Sequence, residues 1–338
     1  MAPNSESDDP SEYNAAFNET VDLDFGLTVF FTVLFIFFLA LLIRTELKTK
    51  LTEAKRKPHN QIFSTFNILL LSMIIANCLN ISFEYVYANN NDYNIAALSS
   101  SISFLFATIF QSLVILNTWN RGQSVIHATI PRSVPFVKLF LVSFGMLQVF
   151  QIVLYVLSAL AIIFESLNAY LTKLNLVVNT ISIILDVFMG IFDVFVTGVY
   201  FYYLYSTNGS GLDVKKLVIL SRYGLVSIFC LECWTWFNYT MMNSAWIGEP
   251  VPPISVLAFR VSLHTCDLMP LVYLAVQMTM KSALLKCDVE TRFEIEKARS
   301  VRRETGLQES CDMLPGSSLT CGIDTKSVSP DKLSLSRL

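Results

Sequence analysis

The sequence predicts an all-α, polytopic membrane protein, a seven-transmembrane helix bundle with an amphipathic eighth helix. Three observations carry that expectation. Of the 338 residues, 53% are hydrophobic and only 15% are charged, where an average soluble domain carries about 25% charged residues. The apolar residues stand in seven long blocks, each near the ~20 residues that cross a hydrocarbon core about 30 Å thick at 1.5 Å rise per residue. The basic residues gather in alternate connecting segments. The same composition excludes disordered, collagen-like and coiled-coil chains. A net charge of -3, from 24 Lys and Arg against 27 Asp and Glu, leaves no basic footprint for nucleic acid.

Residues 1–25 hold many acids and no Lys or Arg, and are expected to form an extracellular amino-terminal segment. Asn18-Glu19-Thr20 within it is a glycosylation acceptor. No basic region followed by a short apolar run precedes the first block, so helix 1 is expected to serve as an uncleaved targeting signal. The transmembrane domain, residues 26–280, comprises the blocks Gly26 to Ile43, Ile62 to Tyr85, Ile95 to Trp119, Phe136 to Phe164, Leu176 to Tyr205, Leu217 to Met241 and Ile254 to Met280. Each must be helical, because a backbone N–H or C=O left unpaired in lipid costs several kcal/mol and a helix pairs them internally. After the seventh block, Leu285, Val289 and Phe293 recur every four residues among Lys286, Arg292, Lys297 and Arg299. That pattern predicts an amphipathic helix over residues 281–305 on the inner leaflet, with Cys287 as an acylation candidate. Residues 306–338 are rich in serine and are expected to be a disordered cytoplasmic tail.

Orientation follows from the rule that Lys and Arg stay cytoplasmic. Arg44, Lys48, Lys50, Lys55, Arg56 and Lys57 follow helix 1, Arg121, Arg132 and Lys138 flank the next such loop, Lys215 and Lys216 the third, and Lys281 opens a basic tail. The alternate segments hold only Lys173. The amino end is therefore expected outside and the carboxyl end in the cytoplasm, with the plasma membrane as the location.

Ionisable groups inside a bilayer are costly and usually face the bundle interior. Asp186 and Asp193 are seven apart on helix 5 and share a face; Arg260, His264 and Asp267 form one stripe on helix 7. Glu232 stands on helix 6 beside the pair Trp234 and Trp236, which point to different faces. Counting along the helices puts Asp186, Glu232 and Arg260 in an outer layer suited to an ion pair or a polar ligand. Asp193, His264 and Asp267 then lie in an inner layer suited to a cation or proton. Interhelical hydrogen bonding for structure alone leaves the same sequence trace. The cysteines all fall in helices or on the cytoplasmic side, so no outer disulfide is drawn, and Cys230 and Cys233 read as small buried side chains.

This topology resembles the G-protein-coupled receptor superfamily, and fragments of its rhodopsin-like signature stand on the matching helices. Helix 7 has Pro270-Leu271-Val272-Tyr273, like Asn/Asp-Pro-x-x-Tyr with Met269 before the proline. Helix 3 ends in Asn120-Arg121-Gly122 where the family has Asp/Glu-Arg-Tyr, and helix 6 has Cys233-Trp234-Thr235-Trp236, like Cys-Trp-x-Pro without the proline. The missing outer cysteines point to a divergent branch. The resemblance implies a receptor for a small-molecule, lipid or peptide ligand held near Asp186, Glu232, Trp234, Arg260 and His264. It implies coupling to a heterotrimeric G protein through Arg121, Lys215 and Lys216, with Asp193, Asp267, Pro270 and Tyr273 as switch positions; a homodimer stays open.

No enzyme is expected: Gly-x-Ser-x-Gly, His-Glu-x-x-His and phosphate-cradling glycine loops are missing. No cofactor is expected either, since helix 7 has no lysine before Lys281 to hold retinal. The alternative is a small seven-helix transporter using the buried Asp, His and Arg residues, although no internal repeat relates the two halves.

Overall fold

Among the described residues, seven long helices carry the chain back and forth through one bundle. The structure, a computed structural model, describes residues 10–51, 64–164, 171–206, 212–245 and 255–311. The helices are α1 (Pro10–Leu51), α2 (Thr65–Asn89), α3 (Tyr93–Thr129), α4 (Val134–Ile163), α5 (Leu171–Ser206), α6 (Leu212–Ala245) and α7 (Val256–Cys311), with a single 3-10 turn at Pro131–Ser133 before α4. All seven are long and apolar enough to cross a membrane, and the chain is a multi-pass helical membrane protein. Neighbours in sequence pack side by side, α7 closes the ring onto α1, and α3 lies inward against both α2 and α5.

The polarity of the bundle is inverted relative to a soluble fold. Large apolar side chains such as Phe136, Leu139, Val142, Met146, Ile191 and Phe229 stand on the outside, while Asn67, Asn117, Gln111, Gln148, Gln277, Asp186 and Asp193 are buried. Lipid tails accept the first set without cost, whereas the second must find partners inside. Local capping starts two of the helices. Ser64 accepts a hydrogen bond from the Asn67 N–H ahead of α2, and Asp92 accepts from the N–H groups of Asn94 and Ile95 ahead of α3. Within the spans, Ser82, Thr108, Ser227 and Thr265 donate to carbonyls four residues earlier, which satisfies hydroxyls that no water reaches.

Two boundaries differ from the sequence reading. Residues 10–25 are not a separate segment but the first turns of α1. Tyr13, Ala16, Thr20, Val21 and Asp24 follow helical spacing and are buried, Tyr13 and Val21 in a small core with Phe259 and Leu263 of α7. Tertiary packing thus prolongs the helix past the lipid-length apolar block. At the other terminus, residues 281–305 are helical but continue α7 without a break, so no separate surface helix forms. No Gly or Pro interrupts Leu271 to Arg303, and Lys281, expected in the tail, is buried inside the bundle. Helix extends to Cys311, and the rest of the expected disordered tail lies outside the described residues.

Candidate functional site

The polar side chains inside the bundle fall into three groups, described from the carboxyl-terminal end, where α1, α3 and α5 finish, towards the amino-terminal end.

The first group joins α3, α5, α6 and α7. Arg121 and Asp193 are buried, with Nη2 and Oδ1 3.5 Å apart. Thr118 donates to Asp193 Oδ1 at 2.9 Å and accepts from Arg121 Nη2 at 3.0 Å, and Arg121 Nη1 reaches Met280 Sδ at 3.6 Å. One turn away, Asn117 donates to Gln277 at 3.1 Å, and Gln277 donates to Ser227 at 2.8 Å. Tyr273 and Tyr200 are fully buried within electrostatic range of the Arg121 guanidinium, yet neither hydroxyl makes a hydrogen bond among the described residues, and Arg121 Nε and Asp193 Oδ2 are also unmatched. A half-satisfied buried network of this kind is held by packing rather than by a full set of hydrogen bonds. Beyond it, Lys281 pairs with Glu46 at 3.3 Å, donates to Asn67 and lies 5.6 Å from the centre of the Phe66 ring, tying α7 to α1 and α2.

Aromatic rings connect this group to the next. Tyr273 meets Phe110 edge-on at 6.3 Å, and Phe110 meets Trp234 edge-on at 5.9 Å. Pro270 sits one turn before Tyr273 inside unbroken helix, where its missing N–H leaves the Cys266 carbonyl without its usual partner. Trp234 faces inward and Trp236 outward.

The second group surrounds Asp186. Its carboxylate accepts from Gln111 at 2.8 Å and from Asn238 at 3.2 Å, and Gln148 donates to the Gln111 carbonyl at 3.2 Å. Glu232 is exposed on α6, with its carboxylate lying where a side chain at Gly190 of α5 would begin.

The third group lies between α1, α2 and α7. Arg260 pairs with Glu19 at 2.7 Å. His264 Nδ1 stands 2.7 and 2.9 Å from the two oxygens of Asp24, which is wholly buried. Asp267 and Glu84 lie within electrostatic range of the same Asp24 and of each other.

The two expected layers are therefore redistributed. Arg260 does not join Asp186 and Glu232 around one cavity, because α1 reaches far enough towards its amino terminus to present Glu19 instead. His264 and Asp267 do not lie with Asp193 but with Asp24 and Glu84, again because α1 begins at Pro10. Asp193 belongs with Arg121, and Tyr273 lies within electrostatic range of that arginine. Lys215 and Lys216 are engaged by the continuation of α7, with Glu294 at 3.9 Å and Asp288 at 2.6 Å. Cys287 is buried along a cleft between α6 and α7 with Val218, Ile219 and Ala283, so its thiol is not displayed on the bundle's outer surface. Asn18 is exposed on helical backbone of α1. Cys78, Cys230, Cys233, Cys266 and Cys287 are free, and among the described residues no group of three or more His, Cys, Asp or Glu is arranged to hold a metal ion.

Asp24, Gln111, Asn117, Tyr200, Asn238, Gln277 and Lys281 were not singled out by the sequence reading. The available signal was the occurrence of Asn and Gln inside apolar blocks, since an amide in hydrocarbon needs a partner as a charge does. Comparison with protein-family models, with characterised proteins and with solved structures finds no match to this chain.

Proposed function

We propose that this protein is a receptor-like signal transducer of the plasma membrane, related in design to G-protein-coupled receptors. It takes a small-molecule, lipid or peptide ligand at its amino-terminal, extracellular end and engages a heterotrimeric G protein at its carboxyl-terminal, cytoplasmic end. The observation that carries this reading is the buried Arg121–Asp193 pair beside the unbonded hydroxyls of Tyr200 and Tyr273. Groups from α3, α5 and α7 meet there with four of their polar atoms unmatched, Arg121 Nε, Asp193 Oδ2 and the two tyrosine hydroxyls, which favours a second arrangement in which these are paired.

The orientation rests on the distribution of Lys and Arg. The aromatic path Trp234–Phe110–Tyr273 gives a ligand near Asp186 a packed route to the Arg121 junction. A ligand shifts the balance only by binding one arrangement more tightly than the other. Movement of α6 away from α7 would also separate Lys216 from Asp288 and open the cleft at Cys287, exposing basic surface to a partner.

The test is nucleotide exchange on purified heterotrimeric G proteins by the full chain in lipid nanodiscs. Exchange above the empty-nanodisc level is expected, with loss in Arg121→Ala and Tyr273→Ala at unchanged surface expression. Substrate flux in proteoliposomes, lost on neutralising Asp193 or Asp267 and unaccompanied by any exchange, would replace this reading with a transporter.

A further inference from the structure

The polar face of α4 has no part in the Arg121 junction. Gln148, Gln151, Tyr155 and Ser158 follow one another at spacings of three and four, so they share one side of the helix. Met146, Val149, Phe150 and Val153 stand exposed on its other side, while Gln148 and Gln151 are only 3% and 2% exposed. The two amides therefore face α3 and α5, on which α4 packs, rather than lipid.

Asp186 sets the direction of the hydrogen bonds here. A carboxylate accepts and does not donate, so Gln111 turns its Nε2 to Asp186 Oδ1, at 2.8 Å, and its carbonyl the other way. Gln148 then turns its own Nε2 to that carbonyl at 3.2 Å, which leaves Gln148 Oε1 at the end of the chain, buried and without a hydrogen-bond partner. Gln151 ends in the same way: its Nε2 lies 3.5 Å from the Tyr155 hydroxyl, and its Oε1 is buried and unmatched. Ser158 Oγ, one turn nearer the amino-terminal end of the bundle, is unmatched too. Both open amide positions are acceptors. Each amide in the chain is also polarised by the carboxylate, which displaces negative charge towards Gln148 Oε1. Asp186 itself accepts from two neutral amides, Gln111 and Asn238, and pairs with no Lys, Arg or His among the described residues. Buried charges are ordinarily paired, and buried carbonyls ordinarily bonded. A cation that carries several N–H donors answers both conditions at once.

We propose that the carbonyls of Gln148 and Gln151 bind the ammonium group of a primary or secondary amine, with Asp186 as its counter-ion acting through Gln111. The ammonium donates one N–H to each carbonyl, and the two side chains stand one turn apart on α4, about 5–6 Å between their Cβ atoms, close enough for one small cation to reach both. A calcium ion is served less well, since it takes about 6–8 oxygen ligands. On the proposed function this amine is the ligand, so its signalling role rests on that reading; its binding does not.

The probes are butylamine and, as its neutral counterpart, butanol, titrated against the full chain in lipid nanodiscs, with binding read by saturation-transfer NMR against empty nanodiscs and by unfolding temperature. Saturable binding of butylamine and not of butanol is expected. It should be about ten-fold or more weaker in Asp186→Asn and in Gln148→Leu, as loss of a partner to a charged group implies. It should be several-fold tighter in Gln151→Glu, which adds a negative charge at the open acceptor. That variant gains binding, so the test stays decisive if either loss variant fails to fold. No saturable binding, equal binding of amine and alcohol, or binding lost in Glu232→Gln but kept in Asp186→Asn overturns the proposal. So does sodium chloride raising the unfolding temperature where butylamine does not, which would make the occupant a metal cation. Amine binding with no change in nucleotide exchange would uphold the site and overturn the receptor reading, and nucleotide exchange without amine binding would do the reverse.

Discussion

Arg121 of α3 and Asp193 of α5 are joined twice, once directly at 3.5 Å and once through Thr118, whose hydroxyl accepts from the arginine at 3.0 Å and donates to the aspartate at 2.9 Å. The shared hydroxyl makes the three groups one unit that fixes α3 against α5. Each ion nevertheless keeps an unmatched atom, Nε on Arg121 and Oδ2 on Asp193.

Removing one ion from this unit should be worse than removing both. A buried charge that loses its partner costs about 3–5 kcal/mol, while replacing the whole pair with apolar side chains is often neutral or stabilising. Asp193→Leu is therefore expected to lower the unfolding temperature in detergent sharply, and Arg121→Met/Asp193→Leu to recover most of the loss. A double variant as unstable as the single one would mean the pair is net stabilising.

Tyr273→Phe should separate stability from signalling. The Tyr273 hydroxyl is buried without a hydrogen bond, and an unsatisfied buried polar group costs about 1–3 kcal/mol. Its removal should leave the unfolding temperature unchanged or raise it. On the proposed function the hydroxyl acts in the alternative arrangement, so nucleotide exchange should fall several-fold. A marked drop in unfolding temperature would show that the hydroxyl is already bonded in the resting protein.

The close approach of α3 and α5 beside Arg121 depends on a glycine. A Cβ at Gly122 would come within 2.7 Å of Val196 Cγ1, a stiff β-branched side chain with little freedom to retreat. Gly122→Ala is expected to destabilise by about 1–3 kcal/mol, as overpacking does, and to disturb Arg121 next door. Gly145→Ala, where nothing lies within 4 Å, is the control and should be neutral or slightly stabilising. Equal unfolding temperatures for the two would overturn the packing argument.

What the sequence revealed about this molecule divides along physical lines. Helix number and kind were legible because hydrocarbon imposes one length and one hydrogen-bonding solution on every span. Helix ends were not: Tyr13 to Asp24 are helical through packing on α7, which hydropathy does not record. The stripe Arg260, His264, Asp267 was visible from spacing, but its partners Glu19 and Asp24 lie some 240 residues away in the chain. Their identity depended on how far α1 extends past the lipid. Arg121 and Tyr273 drew attention through the partial motifs, whereas Tyr200 and Gln277, with no motif around them, did not.

Lys281 offers the last test, because the sequence reading counts it with the basic tail and the fold buries it. It holds Glu46 of α1 and Asn67 of α2 from α7, and the Lys281 and Glu46 side chains are 9% and 11% exposed. Losing it breaks a largely buried pair, which puts Lys281→Met in the range of about 3–5 kcal/mol. Lys216→Met breaks a shorter but exposed pair with Asp288, and exposed pairs contribute about 0–1 kcal/mol. Thermal unfolding should therefore rank Lys281→Met far below Lys216→Met although the broken contact is longer, 3.3 Å against 2.6 Å. The reverse ranking would return Lys281 to the solvated tail that its sequence neighbours suggest.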